Sequence, residues 1–269
     1  MLRVKLSVAI AVAMSAGALL LTACSSTPVD KTAGMSPNAI YADAKEEMGN
    51  SQWDKAIPML EKLEARAAGT PLAQQAQVDK AYAYYKSGEP AQALAALERF
   101  IKLHPASPAM DYALYLKAIV NFNDDLGMFS SISRQDLSER DQKAAKESFE
   151  SFKELVSRFP NSKYAVDARQ RMTYIVNSLA QYEVHVARYY FRRGAYLAAI
   201  NRAQVAVTDY PEVPATEESL FILYKSYDAL GMAQLRDDAK RVLEKNYPQS
   251  EFLRTGVKAS QADPWWKVW

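Results

Sequence analysis

The sequence predicts an all-α protein, a superhelical array of about five helix pairs. Two observations carry that prediction. From Asn38 onward the chain is rich in Ala, Leu, Tyr, Lys and Glu, with apolar residues at helical spacing and no sustained alternation of β-branched residues. One helix ending also recurs four times, at His104-Pro105-Ala106-Ser107, Phe159-Pro160-Asn161-Ser162, Tyr210-Pro211-Glu212-Val213 and Tyr247-Pro248-Gln249-Ser250. In each, an aromatic residue closes a helix, proline forbids its continuation, and a small or polar residue is placed to cap the next.

The stretches upstream of these endings repeat as well. Gly194-Ala195-Tyr196-Leu197-Ala198-Ala199, with Ala203 and Ala206, precedes Pro211; Gly88 with Ala93, Leu97 and Phe100 precedes Pro105. Ala199 and Ala93 each stand 12 residues before their proline, and Ala187 and Ala81 take the small position of the preceding helix. Trp53-Asp54-Lys55-Ala56, then Leu60 and Leu63, states the same theme earlier. The pattern resembles the tetratricopeptide repeat, a helix–turn–helix unit whose small residues let two helices cross closely and whose glycine permits a tight turn. One such unit cannot bury its apolar face, so several stack around a concave groove. The expected tetratricopeptide-like units are roughly 37–70, 74–107, 108–162, 163–213 and 214–250. The prolines lie 55, 51 and 37 residues apart, so the array is irregular. The third unit carries an insertion near Asn123–Asp141, and the fourth a lengthened first helix. Pro58, inside a second helix, is expected to bend or shorten it.

The N-terminus reads as an export leader over residues 1–23. Arg3 and Lys5 precede an apolar run, Leu6 to Leu21, that is shorter than the about 20 residues a spanning helix needs. Leu21-Thr22-Ala23-Cys24 resembles a bacterial lipobox, in which the cysteine is acylated and becomes the new N-terminus. The expected covalent lipid is N-acyl and S-diacylglycerol on Cys24; an ordinary cleaved leader or a lone buried thiol is the other reading. Several acyl chains anchor stably where one does not. Ser25 and Ser26 follow, and in the sorting pattern this resembles, the lack of an aspartate there directs a lipoprotein to the outer membrane. Of the 33 Lys and Arg, the leader holds Arg3 and Lys5, which leaves 31 against 31 acids. A neutral mature chain lacks the surplus of bases a nucleic-acid binder needs. Cys24 is the single cysteine, so no disulfide is available and packing alone must hold the fold. Residues 24–36 read as a lipidated flexible tether, being polar, small and without period.

No catalytic constellation is visible. The two histidines, His104 at a helix end and His185 on a long helix, have no second ligand at metal-binding spacing. His104 there can serve the last carbonyls of its helix. Asp124-Asp125, Glu217-Glu218 and Asp237-Asp238 are sequence neighbours, which do not face one another on a helix. Hence neither a metal nor a small-molecule cofactor is expected, and the chain does not read as an enzyme.

Tyrosine is more informative. Tyr82, Tyr84, Tyr85, Tyr112 and Tyr115 fall on the first helices of the second and third units, which line the concave face in this architecture. Tyrosine offers apolar area with one hydrogen bond at low entropic cost. Tyr84, Tyr85 and Tyr112 are therefore candidates for a client groove, the alternative being core between units. Ser138 with Asp141 approximates a helix cap, and the segment before it, with Met128, Phe129 and Ile132, is either a partner surface or mobile. Residues 251–269 form a tail holding Trp265, Trp266 and Trp269, three of the four tryptophans. Such a tail calls for a partner, a membrane interface, or docking on the protein's own surface.

Joint motifs carry a wider resemblance. Tyr182-Glu183-Val184-His185-Val186-Ala187-Arg188-Tyr189-Tyr190, Arg193-Gly194-Ala195-Tyr196, Asp209-Tyr210-Pro211, Glu139-Arg140-Asp141 and Phe159-Pro160-Asn161-Ser162-Lys163-Tyr164 resemble the BamD (ComL) family over about residues 38–250. That family consists of lipoproteins of the outer-membrane β-barrel assembly machinery, the Bam complex. The resemblance implies a non-catalytic scaffold, anchored in the outer membrane and facing the periplasm. Implied partners are the POTRA domain of BamA, accessory Bam lipoproteins and unfolded β-barrel clients. Residues 37–120 would face clients, whose C-terminal strand signal could lie extended in the groove, and residues 163–250 would face BamA. Arg202, a lone charge in the matched run Ala199-Ile200-Asn201-Arg202-Ala203, is expected to pair with a BamA carboxylate; otherwise it is an exposed helix cation. A pilotin-like lipoprotein for secretin assembly is the alternative, though its units would be spaced more evenly.

Overall fold

The computed structural model describes residues 32–122 and 142–256. These form α1 (Pro37–Gly49), α2 (Trp53–Arg66), α3 (Pro71–Lys86), α4 (Pro90–Leu103), α5 (Met110–Phe122), α6 (Gln142–Arg158), α7 (Ala165–Arg192), α8 (Tyr196–Asp209), α9 (Ala215–Ala229), α10 (Ala233–Asn246) and α11 (Glu251–Thr255). The first ten make five antiparallel pairs, α1–α2 through α9–α10, and α11 stands alone. The leader with Cys24, the insertion Asn123–Asp141 with its Ser138 and Asp141 cap, and the tryptophans of the tail lie outside the described residues.

Two kinds of backbone turn recur along the chain, each with a chemical cause; the Tyr210-Pro211 ending departs from both, with Glu212 in the left-handed region (φ 63). Within a pair the turn residue is left-handed: Gly88 (φ 80), Gly194 (φ 74) and Gly231 (φ 68). The same two backbone bonds close each turn, as in Gly88 N to Tyr85 O (3.2 Å) and Glu89 N to Tyr84 O (2.9 Å). The first pair keeps the geometry without the glycine, with Ser51 at φ 58. Between pairs, an amide closes on the helix and the residue three further on bonds back to it. Thus His104 N reaches Phe100 O (2.9 Å) and Ser107 N reaches His104 O (3.0 Å), and Phe159–Ser162 and Tyr247–Ser250 repeat this. Ala67 and Thr70 make the same two bonds with neither aromatic residue nor proline, a fifth ending that the sequence pattern concealed. Ser36 and Thr70 cap α1 and α3 through bonds from Ala39 N and Ala73 N (3.2 Å each), with Pro37 and Pro71 in the first turn.

Every core cluster is shared between a pair and the first helix that follows it. Ile40, Leu60 and Leu63 of the first pair pack with Ala73 and Ala76 of α3, and Leu97 and Phe100 of the second with Ala113 and Leu116 of α5. Burying each such large side chain contributes about 1.5–3 kcal/mol, which no isolated pair could collect. First helices of adjacent pairs also touch one another, α1 with α3, α3 with α5, and α7 with α9. That close approach puts the first helices on the inside of the curve.

Two expectations need adjusting, and a third is met. Pro58 does not shorten its helix: α2 has 14 residues, as do α4, α8 and α10. Only one amide bond is lost there, while Ala56, Ile57, Leu60 and Leu63 are buried around it. The fourth first helix, α7, is indeed long, at 28 residues. The tether, by contrast, is fixed at its far end. Thr32 is buried, its carbonyl accepts from Arg66 Nη1 at 2.6 Å, and Met35 packs on the first core cluster. Among the described residues, no helix is long and apolar enough to cross a membrane.

Candidate functional site

One side-chain stripe crosses the first helices. Counted from the Ser or Thr that lies one to three residues ahead of each first helix (Ser36, Thr70, Ser107, Ser162), the fifth positions are Tyr41, Gln75, Tyr112 and Asp167. The ninth positions include Lys45, Asp79 and Arg171. Spacing of four keeps these on one helix face, and the contacts bear this out. Tyr41 donates its phenol to Asp79 Oδ2 (2.8 Å), Lys45 Nζ lies 3.5 Å from the same oxygen, and Gln75 donates to Asp79 Oδ1 (3.2 Å). Asp79 is buried, so these three neighbours are what keeps a carboxylate tolerable there. Tyr112 lies against Tyr164 (ring centroids 5.5 Å), which stacks on Tyr115 (4.6 Å), whose phenol donates to Asp167 Oδ2 (2.8 Å). Arg171 completes the run, bonded to Asp167 (2.7 Å) and lying over the Phe122 ring (5.0 Å).

This strip alternates aromatic faces with held carboxylates. Burial first, then the neighbouring phenols and Asp79, pushes the Tyr112 phenol well above its usual range. Burial and the bond to Asp79 do the same to Tyr41. The tyrosines therefore stay neutral donors. The strip can stack planar groups and offer alternating donors and acceptors to an extended backbone.

Of the candidate groove residues, Tyr112 belongs to the strip and Tyr84 does not. Tyr84 sits two residues past Tyr82, which turns it to the opposite side of α3, where its phenol donates to Glu61 Oε1 of α2 (3.1 Å). Tyr85 packs on the core of the second pair. Tyr41, Asp79, Tyr164, Asp167 and Arg171 were not singled out by sequence reasoning. Their signal is the shared register behind the Ser or Thr ahead of each first helix, not the distance to the proline.

In the later pairs ion pairs tie the helices, among them Arg236 of α10 to Asp228 of α9 (3.5 Å). Arg188 of α7 grips Glu218 of α9 with both arms, Nε to Oε1 at 2.5 Å and Nη2 to Oε2 at 2.6 Å, and both side chains are largely buried. Arg202 of α8 reaches the buried Glu183 of α7 (3.2 Å), yet 46% of its own side chain stays exposed. It is thus neither an unpaired cation nor a hidden one. His104 Nε2 lies 3.0 Å from Gln77 Oε1 and its ring packs on Phe100, so the side chain serves α3 rather than its own helix end. Among the described residues no His, Cys, Asp or Glu cluster is placed to hold a metal.

Comparison with known proteins adds to this geometry. The chain is 48% identical over 258 residues to a Neisseria meningitidis serogroup A protein named outer membrane protein assembly factor BamD, covering 93% of this chain and 96% of that one. A protein of the same name from Neisseria gonorrhoeae is 45% identical over 271 residues, all of both chains. One from Vibrio cholerae is 36% identical over 84% of this chain and 94% of its own. Among solved structures, MamA aligns with 83% of the chain at 15% identity and a TM-score of 0.34, too low to add to the argument. Residues 33–243, the array from its docked N-terminal turn to the last second helix, match the outer membrane lipoprotein family YfiO, and the chain belongs to that family.

Proposed function

We propose that this chain is a non-catalytic scaffold of the outer-membrane β-barrel assembly machinery. It is held at the periplasmic face of the outer membrane by lipid on Cys24 and helps barrel proteins insert. The names of its relatives support the assembly role, and the lipobox at Leu21-Thr22-Ala23-Cys24 supports the anchor. The observation that carries the reading is the aromatic and acidic strip across α1, α3, α5 and α7, which suits an extended client segment with aromatic side chains. Tyr112 and its neighbours take the client's C-terminal strand. The later pairs take a POTRA domain of BamA, with accessory lipoproteins elsewhere on the array.

The test uses peptides of a barrel protein's last strand. Tyr112→Ala is expected to weaken their binding about tenfold, the effect of losing one aromatic anchor of about 1–2 kcal/mol. Tyr84→Ala, on the opposite side of α3, is expected to leave binding unchanged. Equal affinity for all three proteins would remove the strip from the reading. For the BamA side, Arg202→Glu is expected to abolish co-purification of BamA. Arg202→Gln, which can still hydrogen-bond Glu183, separates a lost contact from a disturbed fold: retained BamA there would assign the effect to charge repulsion alone.

A further inference from the structure

The array ends in an unfinished sixth unit. Tyr247 and Ser250 make the backbone turn that elsewhere leads into a first helix, and α11 then starts where a sixth first helix would, packing Phe252 and Leu253 on Leu220, Phe221 and Leu243. It stops after five residues at Gly256 (φ 76), whereas the other first helices have 13 or more. The consequence is visible on α10. Five residues before the recurring proline, Phe100, Leu155, Ala206 and Leu243 are all fully buried, so α11 covers that level. Eight residues before it, Leu97, Phe152 and Ala203 are fully buried, but the last pair has Lys240, 45% exposed. Twelve before it, Ala93, Ser148 and Ala199 are fully buried, but the last pair has Arg236, 35% exposed. Arg236 also holds Asp228 and Asp237, and Lys240 holds Glu244; one helical turn before Arg236, at the turn between α9 and α10, lies Met232, with Leu230 two residues earlier, 43% and 41% exposed.

We infer that the tail, residues 257–269, completes the sixth unit by laying its tryptophans over Arg236 and Lys240, against Leu230 and Met232. Cations flanked by apolar side chains are the surface an indole favours, since its face attracts the charge while its edges bury area. Three tryptophans follow α11 directly, at Trp265, Trp266 and Trp269. The distance fits: α10 is about 21 Å long at 1.5 Å per residue, and the residues from 257 to Trp265 reach about 30 Å when extended.

Trp53, edge-on to Tyr82 in the first pair, is the one tryptophan outside the tail. A lipid-free chain from residue 24 onward, carrying Cys24→Ser and Trp53→Phe, therefore reports on the tail alone. Its fluorescence is expected to be blue-shifted, and its quenching by acrylamide severalfold weaker, relative to a free peptide of residues 257–269. Lys240→Glu and Met232→Glu are each expected to return both readings toward the peptide's. Ending the chain at Gly256, with Trp53 intact, is expected to lower Tm by roughly 4 °C. Emission and quenching matching the free peptide, with no change in Tm, would overturn the inference. So would protection that appears only as protein concentration rises, which would indicate a second copy, or only when phospholipid vesicles are added.

Discussion

Ser51 occupies a backbone conformation that three equivalent turns give to glycine, and it alone bears the steric cost of a side chain there. That cost is about 1–2 kcal/mol, so Ser51→Gly is expected to raise Tm by several degrees in a thermal melt. The reverse experiment is Gly88→Ala. No atom lies within 4 Å of where its Cβ would go, so the loss, of about 1 kcal/mol, would come from backbone strain alone. The tyrosines of the strip set a second expectation. The phenols of Tyr41, Tyr112 and Tyr115 titrate higher in the fold than in the unfolded chain, so above the usual tyrosine range near pH 10 the unfolded state holds fewer protons. Stability is then complete below pH 10 and falls as pH rises further. Denaturant melts at increasing alkaline pH should show this decline, and Tyr112→Phe should reduce it.

At the scale of helices, the grip of Arg188 on Glu218 joins α7 to α9 and so fastens the fourth pair to the fifth. Arg188→Ala would leave a buried carboxylate without its cation, a loss of about 3 kcal/mol. Amide exchange is expected to rise in α9, α10 and α11 with little change in α1 to α4; a uniform rise would contradict this. Helix endings of this kind were readable in the residues because aromatic residues and prolines announce them. The Ala67–Thr70 ending was not, because neither an aromatic residue nor a proline marks it. The strip was half readable. Tyr112 was found by residue type, but Asp79 is a buried charge whose tolerance depends on Tyr41 and Lys45 from another helix. Tyr84 was chosen by residue type as well, which says nothing about the side of α3 it occupies, facing Glu61. Arg202 stood out as a lone charge, whereas its partner Glu183 lies a whole helix earlier.

Across the whole molecule, stability passes from each pair to its neighbour, with α6 and α7 linking the two halves through Phe152, Leu155, Ile175 and Leu179. The docked Thr32 gives that array a fixed point of attachment. With Cys24 as the lipid-bearing residue proposed above, the stretch of sequence between bilayer and docked protein runs only from Cys24 to Thr32. Fully drawn out, it measures about 26 Å. The first pair is thus leashed within about that reach of the lipid surface, and the fifth stands at the other end of the array. Arg66→Ala is expected to slacken the leash, and Gly-Ser insertions before Thr32 to lengthen it without altering the melt. Distances from a label on α1 to the bilayer should grow in both cases. With that anchor, whatever enters the α1 end of the strip is caught within about that reach of the membrane, a limit set by the docking of Thr32 and Met35.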